Sequence, residues 1–363
     1  MNETLILQQF SLAATNKLNF AAVRLPSTTD LHFLFSSKQP LLEKVSLLKN
    51  DSVQFVCSPY SAGNLGYTLE AETYWINEKN IFGSPFPNNS ANNTAFELKT
   101  ELTNYIAKKS EYEHFVTQSV IAIQKNKLDK VVGARCESYP LPPHFNMATF
   151  FNKLTQAYPH ACVYFFHLPN IGTWCGATPE KLLTVEKGVL QTVALAGTLP
   201  NGTETNWTDK EYDEQSMTEF FIEETFKQFK LSGVRKTDVE SIEAGLLKHL
   251  RSTFSWKPKP DVLHQKFSKL LAALNPTPAV CGLPQFDASI FISQNEKLER
   301  RFYSGFIGLL KPHETHLYVN LRCMELGVNN VLFYAGAGIT EDSNPDLEWA
   351  ETIAKMETLR SLF

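Results

Sequence analysis

Short apolar runs broken by polar residues fill the first 110 positions of the chain. Phe55-Val56-Cys57 and Tyr67-Thr68-Leu69 have the length and the aromatic or β-branched character of strands. Gly83 to Thr94, GSPFPNNSANNT, is rich in turn residues and reads as a mobile loop. From Glu111 to Lys127 the pattern changes. Phe115, Val116, Val120, Ile121 and Ile123 recur near helical spacing, which predicts an amphipathic helix. Strands are expected at Lys130–Arg135 and Val163–His167. A strand pair is expected at Leu182–Val185 and Val189–Ala196, joined at Lys187-Gly188. Lys210–Lys230 reads as a helix with acidic residues at its start, where they suit the positive end of the dipole. A further helix is expected over Val262–Leu274, stopped by Asn275-Pro276. Three strands then follow, at Arg301–Gly308, Thr315–Met324 and Val331–Tyr334, and a last helix from about Pro345 to Ser361. Strands in runs with helices interspersed favour an α+β fold over a doubly wound parallel sheet.

Composition narrows the class. At 363 residues, with 43% hydrophobic and 20% charged, the chain can bury a large core, as two average domains or one large layered unit. Its 26 Phe against 5 Met and 5 Trp point to a sheet-rich interior. A net charge of −4 argues against nucleic acid as a partner, since such proteins usually carry a strong basic field. Cys57, Cys136, Cys162, Cys175, Cys281 and Cys323 form no C-x-x-C pair and have no His at zinc-ligand spacing, so they read as buried thiols. The start of the chain lacks the basic and apolar regions of a signal peptide. No apolar run reaches the ~18 residues of a spanning helix. The expectation is a cytoplasmic protein with no membrane partner, in which triplets such as Asn88-Asn89-Ser90 are chance matches to a glycosylation signal.

Two acidic pairs carry possible chemistry. Glu211 and Glu214, and Glu348 and Glu351, are each three residues apart, so each pair shares one helix face. Four carboxylates from two helices suit a hard divalent ion, although acidic pairs on helices are also common as solvated faces. Tyr334-Ala335-Gly336-Ala337-Gly338-Ile339-Thr340 reads as a strand running into a glycine turn whose backbone a ligand could approach. As a dinucleotide fingerprint it fails, because Glu341-Asp342 follow where a third Gly is required. Asn275 to Gly282, NPTPAVCG, is a stiff non-helical loop, and Gly176-Ala177-Thr178-Pro179-Glu180 is another, ending in a carboxylate.

Together these blocks resemble the chorismate-utilising enzyme family, in order and approximate spacing. KVVGAR at Lys130–Arg135, GATPEKLL at Gly176–Leu183 and LAGT at Leu195–Thr198 come first. His249-Leu250, NPTPAVCGLP at Asn275–Pro284, ERRFYSGFIG at Glu299–Gly308 and VNLRCMEL at Val319–Leu326 follow, and YAGAGITEDSNPDLEWAET at Tyr334–Thr352 closes the set. The resemblance is strong over residues 110–358 and loose before them. It implies large, largely antiparallel sheets packed together with helices outside. Residues 1–109 would be the N-terminal part of the same compact unit, and residues 110–358 the chorismate-binding catalytic region. It also implies a small-molecule substrate, chorismate, and a Mg²⁺ cofactor; the resemblance leaves the oligomeric state open, and a monomer is the expectation.

Family members displace the C4 hydroxyl of chorismate with a nucleophile added at C2. Isochorismate synthases add water and stop, salicylate synthases go on to lose pyruvate, and anthranilate and aminodeoxychorismate synthases use ammonia. Two positions resemble the isochorismate synthases, which are isomerases serving menaquinone and catecholate siderophore biosynthesis. Lys130 matches the lysine that water-using members employ as general base, and Ala279 stands where the other classes tend to carry Thr. A lysine ordinarily titrates near ~10.4, so a lysine base needs burial or a neighbouring cation. Glu180 resembles the general acid for the departing hydroxyl, a role that requires a raised pKa. Glu214 and Glu351 resemble direct Mg²⁺ ligands, with Glu211 and Glu348 behind them. Tyr303 and Arg322 match the pair that holds the enolpyruvyl carboxylate. Gly197, Thr198, Gly336, Ala337, Gly338 and Lys355 resemble further substrate contacts, and His249 a pocket histidine. Two positions depart from the pattern: Gln215 replaces the usual His, and Gly133 the usual Leu.

Overall fold

The computed structural model describes residues 3–48, 51–84, 96, 98, 101–200, 206–244 and 247–363, so the loop expected at 83–94 falls almost wholly outside the described residues. Helix α1 (Glu3–Thr15) is followed by strands β1 (Asn19–Arg24), β2 (Leu31–Ser36), β3 (Leu41–Lys44), β4 (Gln54–Ser58), β5 (Leu65–Glu70), β6 (Thr73–Ile76) and β7 (Lys79–Phe82). Next come α2 (Lys109–Gln124), β8 (Lys130–Pro140), α3 (Met147–Ala157), β9 (Cys162–Leu168), β10 (Gly172–Thr178), β11 (Lys181–Glu186) and β12 (Val189–Pro200). After α4 (Asp209–Gln228) the chain forms β13 (Arg235–Lys236), β14 (Glu240–Ala244), β15 (Leu247–Trp256), α5 (Pro260–Leu274), β16 (Gly282–Leu283) and α6 (Gln285–Asn295). It ends with β17 (Phe306–Lys311), β18 (Glu314–Val319), β19 (Cys323–Leu326), β20 (Asn330–Ile339) and α7 (Pro345–Arg360).

Among the described residues the strands form two ten-stranded sheets, with antiparallel pairing throughout. The first runs β16-β8-β20-β19-β10-β9-β1-β2-β6-β7. The second runs β13-β15-β12-β11-β18-β17-β4-β5-β3, with β14 on β15. Apolar side chains from both sheets, among them Phe55, Phe166, Trp174 and Ile307, form the core between them. The outer face of the first sheet is covered by α1, α3 and the end of α7, where Phe10, Phe20, Phe151 and Phe165 pack together. The Phe10 and Phe165 rings stand 4.7 Å apart. Ile222 and Phe226 of α4 and Leu263, Phe267 and Leu270 of α5 cover the outer face of the second. The abundant Phe is thus spent on the sheet faces, where rigid rings lose little entropy on burial. The N-terminal strands are interleaved with later ones: β1 lies between β2 and β9, and β4 pairs with β17. No helix among the described residues is long and apolar enough to cross a membrane. The six cysteines are buried and unbridged.

Three expectations are corrected. The strand expected at Arg301–Gly308 begins only at Phe306, because Arg301 and Ser304 adopt positive φ (50° and 61°) in tight turns. The single strand expected at Thr315–Met324 is two, β18 and β19, in different sheets. Between them Asn320-Leu321-Arg322 cross over, with Arg322 at φ 46°. The glycine turn expected after Tyr334 is the interior of β20, whose Gly336 and Gly338 pair with Ala134 and Val132. At the other departure from the family pattern, the Phe115 ring of α2 lies against Gly133 and fills the space a larger residue would need.

Candidate active site

The chain changes sheets twice at one place. It leaves β10 in the first sheet through Pro179-Glu180 and enters β11 in the second. It leaves β18 through residues 320–322 and returns to the first sheet as β19. The two crossings are bound to each other. Val319 N–H donates to the Glu180 carbonyl at 2.9 Å, and Ala177 N–H to the Arg322 carbonyl at 3.0 Å. Thr178 Oγ1 donates to the Val319 carbonyl at 2.5 Å. Glu180 and Arg322 are therefore set by backbone that lies in neither sheet, where side chains can point into the seam.

A cavity of about 140 Å³ opens at this seam. Its wall includes Lys130, Glu180, Gly197, Glu211, Glu214, His249, Ala279, Arg322, Gly338, Glu351 and Lys355, all singled out in the sequence. Pro179, Leu195, Ala196 and Leu321 complete it. Of the other expected residues, Glu348 is buried and accepts from Ser343 Oγ at 2.7 Å. Tyr303 is buried, with its hydroxyl against Gly336 and its ring stacked on Tyr334 at 5.7 Å. Ala337 is fully buried within β20, and Thr198 lies opposite His249 in the β12–β15 ladder. Glu348, Tyr303, Ala337 and Gly336 stand outside the cavity wall.

Lys130 begins β8, and Gly338 keeps the adjacent strand low enough for its side chain to pass: a Cβ there would stand 3.1 Å from Lys130 Cε. Lys130 is 4% exposed and its Nζ lies 3.9 Å from Glu214 Oε1. Glu180 is 7% exposed. Burial pushes its carboxyl up to about 7, against the opposing pull of the Thr277 hydroxyl (Oγ1 to Oε1 3.3 Å) and of Lys130, Lys355 and Arg322. Thr277 is a residue that sequence reasoning missed, although it lies inside the N-P-T-P-A-V block. Lys355 Nζ bridges Glu351 Oε1 at 2.6 Å and the Gly336 carbonyl at 2.9 Å, which ties α7 to β20. Burial, and then the neighbouring Arg322, lowers His249 to about 4, so the ring is neutral near pH 7. Its Nδ1 lies 3.1 Å from the Gly197 carbonyl, which assigns the ring hydrogen to Nδ1. Gly197 has φ +64° at the bulge where the β12–β15 register shifts. A Cβ there would stand 2.9 Å from the Glu211 Cβ, so this approach of α4 to β12 requires glycine.

Gln215 explains how a chain without the family's usual His docks α4. Beyond Gln191, β12 loses its β11 neighbour. The Gln215 amide takes that place: its oxygen accepts from Ala196 N–H at 3.0 Å, and its nitrogen faces the Ala194 carbonyl at 3.3 Å and Ser252 Oγ at 3.0 Å. A carboxamide thus satisfies a donor and an acceptor of the unpaired strand, one residue from Glu214. Gln215→Ala is expected to destabilise the fold by about 2–3 kcal/mol by leaving buried polar groups unpaired. The lowered denaturant midpoint at unchanged slope would register it.

Glu211, Glu214 and Glu351 give the cavity an oxygen-only donor set, the kind a hard divalent cation takes. As they stand, Glu351 faces Lys355 and Glu214 faces Lys130. Glu211 Oε2 accepts from Thr208 N–H at 2.9 Å as the capping partner of α4. Among the described residues no three His, Cys, Asp or Glu side chains are clustered as a ready-made metal cage.

The cavity thus joins a lysine, a carboxyl held half protonated near neutrality, and an arginine whose guanidinium has no hydrogen-bond partner among the described residues. The family described as chorismate binding enzyme matches residues 20–363. The chain belongs to the chorismate-binding enzyme family. It is 28% identical over 275 residues to the isochorismate synthase MenF of Haemophilus influenzae, covering 73% of this chain and 63% of that protein. It is 28% identical over 282 residues to the MenF of Escherichia coli, with the same coverage. The chain therefore matches just under two thirds of the length of these curated relatives. The solved structure of the E. coli MenF, described as the menaquinone-specific isochorismate synthase, superposes with a TM-score of 0.77 at 20% identity, over 99% of this chain and 90% of that one. That likeness establishes the α+β fold of two packed antiparallel sheets for this member of the family.

Proposed function

We propose that this chorismate-binding enzyme is an isochorismate synthase, a Mg²⁺-dependent isomerase that adds water at C2 of chorismate and expels the C4 hydroxyl, serving menaquinone biosynthesis. The observation that carries the reading is the pairing of Lys130 with a Glu180 carboxyl raised to about 7 on the wall of one cavity. Lys130 takes a proton from the attacking water as its oxygen bonds to C2. Glu180 gives a proton to the C4 oxygen as that bond breaks and the ring double bonds shift. One water enters and one leaves, so the product is an isomer of the substrate. The exchange of one hydroxyl for another on a similar diene makes the reaction reversible.

We assign the enolpyruvyl carboxylate to the Arg322 guanidinium on the cavity wall, with the Tyr303 hydroxyl beside Gly336 behind it; arginine meets a carboxylate with two parallel hydrogen bonds. Neutral His249 contributes an acceptor nitrogen to the same wall without adding charge. Glu214 and Glu351 would hold the Mg²⁺ ion, with Glu211 and Glu348 behind them, and the ion would supply positive charge to the ring carboxylate. The two curated relatives named above are both MenF, and the solved E. coli MenF is described as menaquinone-specific, which supports the menaquinone assignment.

Incubation with chorismate and Mg²⁺ should yield isochorismate without pyruvate, and a chelator should abolish the conversion until Mg²⁺ is restored. Salicylate with free pyruvate, or anthranilate or aminodeoxychorismate from ammonium, would overturn the assignment. Absence of any turnover would instead mark a binding protein.

A further inference from the structure

A buried ion pair outside the cavity ties two of its walls together. Glu296, just past α6, and Arg300 have side chains 6% and 3% exposed. Arg300 Nε and Nη2 donate to Glu296 Oε1 and Oε2 at 2.6 and 2.8 Å, a fork-to-fork contact. Every other side-chain hydrogen bond of the pair reaches a different part of the chain. Arg300 Nη1 donates to the Val280 carbonyl at 2.7 Å and Nη2 to the Val132 carbonyl at 2.7 Å. The Ala134 N–H donates to Glu296 Oε2 at 2.7 Å. Val132 lies two residues beyond Lys130 on β8. Val280 adjoins Ala279 and follows Thr277, the hydrogen-bond partner of Glu180. One guanidinium therefore grips both the strand that carries the base and the loop that touches the acid.

Stability is a poor explanation for this arrangement. Two charges withdrawn from water recover their desolvation cost only through good geometry, and apolar residues of similar volume often do as well. The two segments are also joined without the pair: Val132 N–H donates to the Cys281 carbonyl at 2.8 Å, and β16 pairs with β8 at Gly282–Val131 and Leu283–Lys130. What the pair adds is a fixed spacing, since the planar fork can satisfy both carbonyls and the carboxylate only at one separation. Misplacement of reacting groups by ~1 Å can cost 10²-fold in rate.

We propose that Glu296 and Arg300 are a positioning pair that sets the distance between Lys130 and the Thr277–Ala279 wall across the bound substrate, a role that rests on the isochorismate synthase reading. Two variants of the full chain test it. R300K keeps the charge and can reach Glu296 but cannot hold both carbonyls; R300M removes the grip. With R300K, kcat should fall at least tenfold while KM for chorismate stays within threefold. Amide hydrogen exchange should quicken at residues 130–134 and 277–281 and nowhere else. R300M should exaggerate both effects. A kcat within twofold of wild type in R300K would overturn the proposal, as would a rise in KM alone, exchange that quickens throughout both sheets, or failure of R300K to fold. Wild type assayed alongside reports on the reading itself: if it makes no isochorismate, that reading falls, while the localised exchange pattern still decides whether the pair fixes these two segments.

Discussion

Lys130→Ala is expected to lower kcat for isochorismate formation by roughly 10²–10⁴-fold, the range that one positioned general base contributes. The side chain is 4% exposed and lies on the cavity wall with Glu180, and its nearest carboxylate, Glu214, is 3.9 Å away. Removing it takes away the group proposed to accept the water proton. It also leaves Glu214 without its cation, so Mg²⁺ affinity should rise or hold, and calorimetric titration of the ion separates the two consequences. Unaltered folding by circular dichroism with rate lost and Mg²⁺ binding kept is the expected outcome. A variant that turns over within threefold of wild type would remove Lys130 from the mechanism.

Glu180→Gln should cost a comparable factor in kcat, because the amide keeps the shape but has no acidic proton to give to the departing hydroxyl. The wild-type carboxyl titrates at about 7 because burial disfavours its charged form. As pH rises through that value the proton is lost, so wild-type kcat should decline on the alkaline side. The same shift acts on stability with a definite sign. A carboxyl raised from 4.5 in the unfolded chain to about 7 in the folded one favours the fold fully below pH 4.5, and that contribution disappears as pH rises to 7. Glutamine cannot ionise. The variant's melting temperature should therefore gain on wild type between pH 5 and 8 and then level off. Parallel melting curves across that range would show that Glu180 ionises no differently in the folded protein, and its role as acid would fall with them. A group kept in a costly state of this kind is the usual trade of stability for activity at a reaction site.

The chemistry-bearing residues could be read from the sequence because they sit in short blocks whose order is distinctive; their convergence could not. Nothing in Tyr318 to Met324 marks a break, since every residue but Asn320 and Arg322 is apolar and strand-forming. The crossing is imposed by the first sheet, where β10 and β20 pair with Cys323–Leu326, and by the Asn320 amide, which donates to the Phe302 carbonyl at 2.9 Å and accepts from Tyr164 at 2.6 Å. Tertiary pairing of this kind overrides local propensity. Gly336 and Gly338 misled in the opposite sense. Glycines that usually end strands serve here as low points of β20, over which Lys130 and Tyr303 pass. The N-terminal elements were legible only in part. Leu5, Ile6, Gln9, Phe10 and Ala13 of α1 are buried at helical spacing, but the polar residues among them blur the stripe. Gln215 departs visibly from the family pattern, yet its work as a substitute strand neighbour depends on where β11 ends, which no local pattern reports.

The double crossing between sheets also bears on how the protein comes to be active during folding. Lys130, Glu180, His249, Arg322 and Glu351 are scattered over 222 positions of the chain, and Glu180 and Arg322 are placed where the chain crosses between the two packed sheets. Contacts so distant in sequence are closed late and at high entropic cost. A chain in which either sheet is unformed is therefore expected to lack the assembled site. The proposed acid, base and anion-binding arginine are expected to come together only once the seam between the sheets has closed.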